Sequence, residues 1–165
     1  MKLLHVGCGG SALPDYLKRY EETRLDIDAQ HQPDVLASIT DMGDIGQYEA
    51  LYCAHALEHL YPHECEQALA EFLRILKPRG AAVIFVPDLE DVKPDETVLF
   101  QSPAGDITGL DLIYGHRMQI KDNPHMAHKN GFVKSTLEKA LKNAGFKTVT
   151  VSRHKYYNLS ALAIK

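Results

Sequence analysis

The chain has 165 residues, of which 45% are apolar and 24% charged, and its net charge is −4 at pH 7. This length suits a single domain with a substantial core, and the acidic balance argues against broad nucleic-acid binding, which needs a basic face. The longest apolar run, residues 81–87, is far shorter than the ~20 residues that span a bilayer. We expect a cytoplasmic protein that is one domain over residues 1–165, with no membrane partner.

The first half of the chain alternates strand-like segments with helices or loops. Five apolar segments have the length and boundaries of strands: residues 2–6, 24–27, 34–37, 48–54 and 81–86. A helix is predicted over residues 13–20, and an amphipathic helix begins at Pro62 and ends before the breakers in residues 77–80. The continuous apolar character of residues 81–86 is typical of a strand buried on both faces of a parallel sheet.

The second half contains a long irregular segment before regular structure returns. Residues 87–130 hold four prolines, three glycines and three histidines, which predicts a lid or acceptor-binding insertion at about 88–130. A helix is predicted over residues 132–144, and residues 146–153 and 158–164 alternate like an antiparallel strand pair. The order predicts an α/β fold: a doubly wound, seven-stranded, mostly parallel sheet with an antiparallel C-terminal hairpin.

A glycine-rich turn follows the first strand. Gly7, Gly9 and Ala12 satisfy the pattern G-x-G-x-x-G/A between a strand and a predicted helix. Asp26 ends the second strand, near the position at which dinucleotide-binding folds place the acid that binds ribose hydroxyls. The pattern indicates an adenosine-type ligand without saying which one, and a tight turn with no ligand is the alternative.

Several further stretches occur in a characteristic order. They are LHVGCGGSALP, RLDIDAQ, ITDMGD, YEALYCAHALEHL, AEFLRILKPRGAAVIFVPDL and HKNGFVKSTLEKALKNAGFKTVTV. With them the chain resembles the class I S-adenosylmethionine-dependent methyltransferases over nearly its whole length, except about residues 88–124. It is most similar to a small, largely uncharacterised subgroup that shares the L-x-x-G-C-G, D-I-D, L-E-H and H-K-N-G-F stretches.

The resemblance implies a binding site for S-adenosyl-L-methionine at the strand ends. Its expected residues are Gly7, Cys8, Gly9, Asp26, Ile27, Asp41, Met42, Ala54 and His55. In such a site Asp26 takes the ribose hydroxyls and Ile27 packs on the adenine. Asp41 accepts from the exocyclic amine of the adenine, and the main chain of Met42 donates to the ring. His5 stands where many relatives have an acid, two residues before the first glycine.

The acceptor side is expected in the irregular segment. Transfer to a hydroxyl needs a base, and histidine suits that task near neutral pH. We therefore take His128 as the first candidate, with His116 and Tyr114 beside it, against the alternative that they are surface residues. His59 is expected to be structural and to bond to the main chain of a neighbouring loop. His125 and His128 have a spacing that allows metal binding, but C-x-x-C and H-E-x-x-H are absent, and we expect no metal.

The sequence favours a methyltransferase that acts on a small-molecule acceptor. A nicotinamide-dependent oxidoreductase is one alternative, and a non-catalytic methyltransferase-like binding or partner subunit is another. The missing helix before the first strand predicts open apolar surface, and therefore a homodimer or a partner at that surface.

Overall fold

The architecture is a seven-stranded sheet whose two longest helices pack against the same face. The computed structural model describes all of residues 1–165. Its strands and helices are β1 (Lys2–Val6), β2 (Glu21–Asp26), β3 (Val35–Leu36), β4 (Tyr48–Ala54), α1 (Pro62–Ile75), β5 (Leu76–Pro87), β6 (Val98–Ser102), β7 (Gly105–Thr108), α2 (Gly109–Tyr114), α3 (Arg117–Ile120), α4 (Lys134–Asn143), β8 (Thr148–His154) and β9 (Asn158–Ile164). None of the helices is both long and apolar enough to cross a membrane.

The strand order places the strand ends that carry the expected site at one edge. The order is β3, β2, β1, β4, β5, β9 and β8. The first five strands run parallel, whereas β9 is antiparallel to both β5 and β8. This confirms the predicted seven-stranded, mostly parallel sheet with its C-terminal hairpin. Because parallel strands share the direction of their carboxyl ends, the segments after β1, β2, β4 and β5 meet at one edge.

The main core lies between the sheet and the helices α1 and α4. In α1, Leu69 follows Ala68 directly, Phe72 lies three residues after Leu69, and all three are fully buried. Leu137 and Leu141 of α4, four residues apart, are buried on the same side of the sheet. These spacings put the apolar side chains of each helix on the face that contacts the sheet.

The opposite face of the sheet carries no long helix. The predicted helix over residues 13–20 is wrong, because only Asp15–Leu17 form a single 3-10 turn. The chain enters β2 at Glu21, which leaves too few residues after Pro14 to recover the cost of helix nucleation. Apolar side chains on this face remain open to solvent, such as Leu162, which is 47% exposed. The homodimer stays a prediction.

The lid (residues 88–130) is more regular than its composition indicates. It contains the antiparallel hairpin β6–β7, the short helices α2 and α3, and a 3-10 turn at Pro124–Met126. The hairpin turn is closed by Ser102, whose hydroxyl donates to the carbonyl of Gly105 and accepts from the amide of Ala104. Phe100 on β6 packs against Tyr156 and Tyr157 in the turn between β8 and β9. The hairpin is thereby anchored to the C-terminal end of the fold.

Candidate functional site

The glycine turn after β1 has a conformation that only glycine adopts without strain. Gly7 has φ +59° and Gly9 has φ +48°, both in the left-handed region. A Cβ at Gly7 would lie 2.6 Å from the Cβ of Ala56, whereas a Cβ at Gly9 would meet nothing within 4 Å. Gly7 therefore allows the loops after β1 and β4 to approach closely, and Gly9 borders open space in which a ligand can lie.

The carboxylate of Asp26 holds this turn in place. Asp26 is 7% exposed; its Oδ2 accepts from the amide of Gly9 at 2.7 Å and its Oδ1 from the amide of Asp28 at 2.9 Å. Arg24 supports the same turn, because its guanidinium donates to the carbonyl of Gly9 at 2.6 Å and to that of Ser11 at 3.2 Å. A carboxylate oxygen has more than one lone pair, so each oxygen of Asp26 can accept a further bond from a diol.

The neighbours of Asp26 differ in how well they suit an adenosyl group. Ile27 is 64% exposed beside the turn, as a side chain that covers a ligand would be. Asp28 turns away from the glycines and accepts from the amide of Gln30 at 2.9 Å. Cys8 is buried and its amide donates to the carbonyl of Leu25, so its thiol packs in the protein. These observations fit Asp26 as the diol ligand and Asp28 as a capping residue.

The loop after β3 fits the prediction only in part. Asp41 is exposed, and one of its carboxylate oxygens accepts from the amide of Gly43 at 3.3 Å. The amide of Met42 already donates to the carboxylate of Glu71 at 2.9 Å, and the Met42 side chain is buried. The predicted bond from the Met42 main chain to an adenine ring is therefore not available in this structure.

His5 lies on β1, two residues before the first glycine of the turn, and contacts the two neighbouring strands. It is buried on β1, its Nδ1 lies 2.7 Å from the carboxylate of Glu22 on β2, and its ring contacts that of Tyr52 on β4. Burial lowers the pKa of His5, against the opposing effect of Glu22. The ring therefore ties β1 to its two neighbours.

His55 connects the strand edge with a cavity beneath the lid. Its backbone is left-handed, with φ +54°, and its amide donates to the carbonyl of Phe85 at 2.9 Å. The half-exposed ring places Nδ1 3.1 Å from Oε1 of Glu58. Burial lowers the pKa of His55, but the hydrogen bond and charge of Glu58 outweigh it, and the net shift is upward. Ala54 ends β4 directly before it and is partly buried.

The cavity has a volume of about 320 Å³ and combines apolar with titratable walls. Its apolar side is formed by residues of the lid, including Phe100 and Ile107 of the hairpin β6–β7 and Leu112 of α2. Two of the predicted acceptor-site residues, His116 and His128, line it. Tyr114 does not: its side chain is 57% exposed, and it contributes a carbonyl that accepts from the amide of His128 at 3.0 Å.

Glu58, His59 and His128 form a compact group in the cavity wall. The carbonyl of Glu58 accepts from the amides of Lys129 at 2.8 Å and Asn130 at 3.1 Å, which brings the H-K-N-G-F stretch against the 3-10 turn at Leu57–His59. The expected structural bond of His59 is confirmed, since its Nδ1 lies 3.2 Å from a main-chain carbonyl in the lid. Burial lowers the pKa of His128.

The buried carboxyl group of Glu58 lines the cavity and was not among the expected site residues. Burial raises its pKa, but the hydrogen bond and charge of His55 outweigh burial, and the net shift of the pKa is downward. The signal was present in the stretch A-H-A-L-E-H, where His55 and Glu58 are three residues apart after a strand. His125 and His128 are not paired: His125 is exposed and does not line the cavity.

Comparisons with known proteins agree with this geometry. Residues 4–84, just under half of the chain, match a family model described as a methyltransferase domain. No curated protein sequence matches the chain.

Solved structures of S-adenosylmethionine-dependent methyltransferases have the same fold. One from Clostridium acetobutylicum superposes with a TM-score of 0.68 at 9% identity, over 99% of this chain and 83% of its own. The N-methyltransferase NodS of Bradyrhizobium japonicum, solved with S-adenosylhomocysteine, gives 0.61 at 12% identity, over 100% and 78%. Human N-acetylserotonin methyltransferase, solved with S-adenosylmethionine, gives 0.65 at 14% identity, over 99% and 47%. This chain therefore spans about half the length of the human enzyme.

Proposed function

We propose that this chain binds S-adenosylmethionine at the carboxyl edge of β1, β2 and β4 and transfers its methyl group to a small-molecule acceptor in the cavity. The bound cofactor supplies a methyl group that its positive sulfur has already activated. The observation that carries the proposal is the bond from Gly9 to the buried Asp26, in the segment that matches the methyltransferase domain.

The cofactor side of the proposal rests on residues that the fold holds rigid. Asp26 is fixed by two main-chain amides and accepts the ribose hydroxyls with its remaining lone pairs. Gly9 leaves room beside the turn, and Ile27 covers the adenine with its exposed side chain. Because these groups are already ordered by bonds within the protein, little conformational entropy is lost when the ligand binds.

The acceptor side of the proposal rests on the cavity. His55 lies both at the strand edge and in the cavity wall, so an acceptor in the cavity lies next to the proposed cofactor site. The protein's task is then to position the acceptor for in-line attack, which is proximity catalysis. A volume of about 320 Å³ is at the small end of ligand pockets and favours a small molecule.

Titration calorimetry with S-adenosylhomocysteine tests the proposal. We expect one ligand per chain for the wild type, and a loss of more than about tenfold in affinity for Asp26→Asn, because a hydrogen bond to a charged group contributes about 1.5–3 kcal/mol. Asp28→Asn is the matched control and should bind as the wild type does. Heat from NADH with none from S-adenosylhomocysteine would replace the proposal with the oxidoreductase alternative.

A further inference from the structure

Three side chains of the types that commonly bind metals lie close together in the cavity wall. Glu58, His59 and His128 each place a ligand atom within 4.8 Å of the others. Two of them come from the 3-10 turn at Leu57–His59 after β4, and the third comes from the segment before α4. Main-chain bonds between these segments, described above, hold the group together independently of the side chains.

Both histidines are oriented as metal ligands are. Nδ1 of His59 lies 3.2 Å from the carbonyl oxygen of Ala127, and Nδ1 of His128 lies 2.8 Å from that of Leu112. A carbonyl oxygen only accepts, so each Nδ1 carries the hydrogen and each Nε2 keeps its lone pair. Metal-bound histidines typically donate their second ring N–H to a carbonyl or carboxylate in this manner, which fixes the tautomer and the ring.

The carboxylate of Glu58 is incompletely bonded. Glu58 is 1% exposed, and its Oε1 is held by His55, but its Oε2 has no hydrogen-bond partner. Two other buried side-chain atoms in the chain lack a partner, Nδ1 of His116 and Oδ1 of Asn158. All three residues line the same cavity. Buried polar atoms are almost always paired, and the unpaired Oε2 of Glu58 is free to bind a further group beside His59 and His128.

We propose that Glu58, His59 and His128 bind a divalent transition-metal cation, with open coordination positions facing the cavity. Two imidazoles and one carboxylate suit Zn²⁺, Fe²⁺ or Co²⁺ better than Mg²⁺ or Ca²⁺, which prefer oxygen ligands. Three protein ligands beside a cavity are typical of a site that keeps a position for water or substrate. The expectation of no metal from the sequence is replaced by this proposal, which uses His128 but not His125.

The metal site also explains how a hydroxyl acceptor could be activated for methyl transfer. This step alone rests on the proposed function. A hydroxyl oxygen of the acceptor that coordinates the cation has a lowered pKa and releases its proton to water more readily. His128 then acts as a ligand, and no separate base is needed. The acceptor class favoured by this arrangement is a hydroxyl compound, which binds the cation through oxygen from the cavity side.

Metal titration of the chelator-treated protein tests the site without any cofactor. We expect one Zn²⁺ per chain by calorimetry, and one Co²⁺ with the visible absorption of a nitrogen- and oxygen-ligated ion. Glu58→Gln and His128→Asn should each weaken Zn²⁺ binding by at least about tenfold, on the scale that changes to a metal site produce. His125→Asn, an exposed histidine of the same lid, should leave the affinity unchanged.

The variants remain informative even if one of them is less stable. At the same Zn²⁺ concentration, the unfolding temperature should rise in the wild type and in His125→Asn, and rise clearly less in Glu58→Gln, since binding to the native state stabilises it to a degree that increases with affinity. Equal Zn²⁺ affinity in wild type and Glu58→Gln, no Zn²⁺ binding at all, or tighter binding of Mg²⁺ would each overturn the site. A protein that binds S-adenosylhomocysteine but no Zn²⁺ would refute the metal site and leave the proposed methyltransferase function intact. A protein that binds Zn²⁺ but no S-adenosylhomocysteine would refute the methyltransferase function and leave the metal site intact.

Discussion

Replacing Gly7 by alanine tests the close approach on which the proposed cofactor site depends. The new Cβ would lie 2.6 Å from the Cβ of Ala56, and the residue would keep φ +59°. A left-handed alanine costs about 1–2 kcal/mol, and overpacking costs about 1–3 kcal/mol. Gly7→Ala should therefore lower the free energy of unfolding by about 2–5 kcal/mol.

Two further variants separate the steric cost from the backbone cost. Gly9→Ala has a similar backbone conformation but no neighbour within 4 Å of its Cβ, so it should lose only about 1–2 kcal/mol. Ala56→Gly in the Gly7→Ala background should recover the steric part, as a coupling energy in a double-mutant cycle. Urea unfolding of the wild type, Gly7→Ala, Gly9→Ala, Ala56→Gly and the Gly7→Ala, Ala56→Gly double variant measures these differences. If Gly7→Ala costs no more than Gly9→Ala, the close contact between the two loops does not exist.

Three more predictions concern the lid, the core and the thiols. Burial raises the pKa of Asp111, but hydrogen bonds from Thr108 and Arg117 outweigh burial and lower the pKa to about 2. Because this folded value lies below the unfolded one, the stability that the carboxylate adds is present above about pH 4 and is lost as the pH falls towards 2. Asp111→Asn should abolish that pH dependence in acid-unfolding curves. Leu141→Ala should cost about 2–5 kcal/mol in urea unfolding, because Leu141 is fully buried, whereas Leu36→Ala at a 61% exposed position should cost little. The three cysteine thiols are buried, and burial raises the pKa of each, so a thiol reagent should label none of them until the protein unfolds.

The strands were predictable where apolar segments end at turn residues. β1 and β4 have the predicted bounds, because Gly7 follows one and the other lies between Gln47 and the left-handed His55. β5 begins earlier than predicted, at Leu76 instead of residue 81, because Leu76 already pairs with Tyr48. Residues 77–80, with Arg79 left-handed at φ +66°, interrupt the register before the pairing resumes at Ala81. Proline ends a helix, but its φ also suits an extended chain.

The prediction overestimated regular structure before β2 and underestimated it in the lid. Leu13 and Leu17 have helical spacing, yet only Asp15–Leu17 form a turn, because the pattern does not report how little chain remains before β2. In the lid, the β-forming apolar residues 98–100 and the Ser-Pro-Ala-Gly turn were local signals for the hairpin β6–β7. The number of prolines in the whole segment concealed them.

The cofactor side could be read from sequence more fully than the cavity side. Gly9 and Asp26 belong to a local motif whose geometry the parallel sheet dictates. His59 meets His128 because the amides of Lys129 and Asn130 donate to the carbonyl of Glu58. The ring of His59 also bonds to a main-chain carbonyl 68 residues further along the chain. No local pattern encodes such a contact, because it joins parts of the chain that are distant in sequence.

A crystal structure with bound S-adenosylhomocysteine would show whether the glycine turn and Asp26 form the cofactor site. We expect the adenosyl group at the carboxyl edge of β1 and β2, with its ribose hydroxyls bonded to Asp26 and its sulfur directed towards His55 and the cavity. A ligand bound elsewhere, or a ribose that makes no contact with Asp26, would contradict the account.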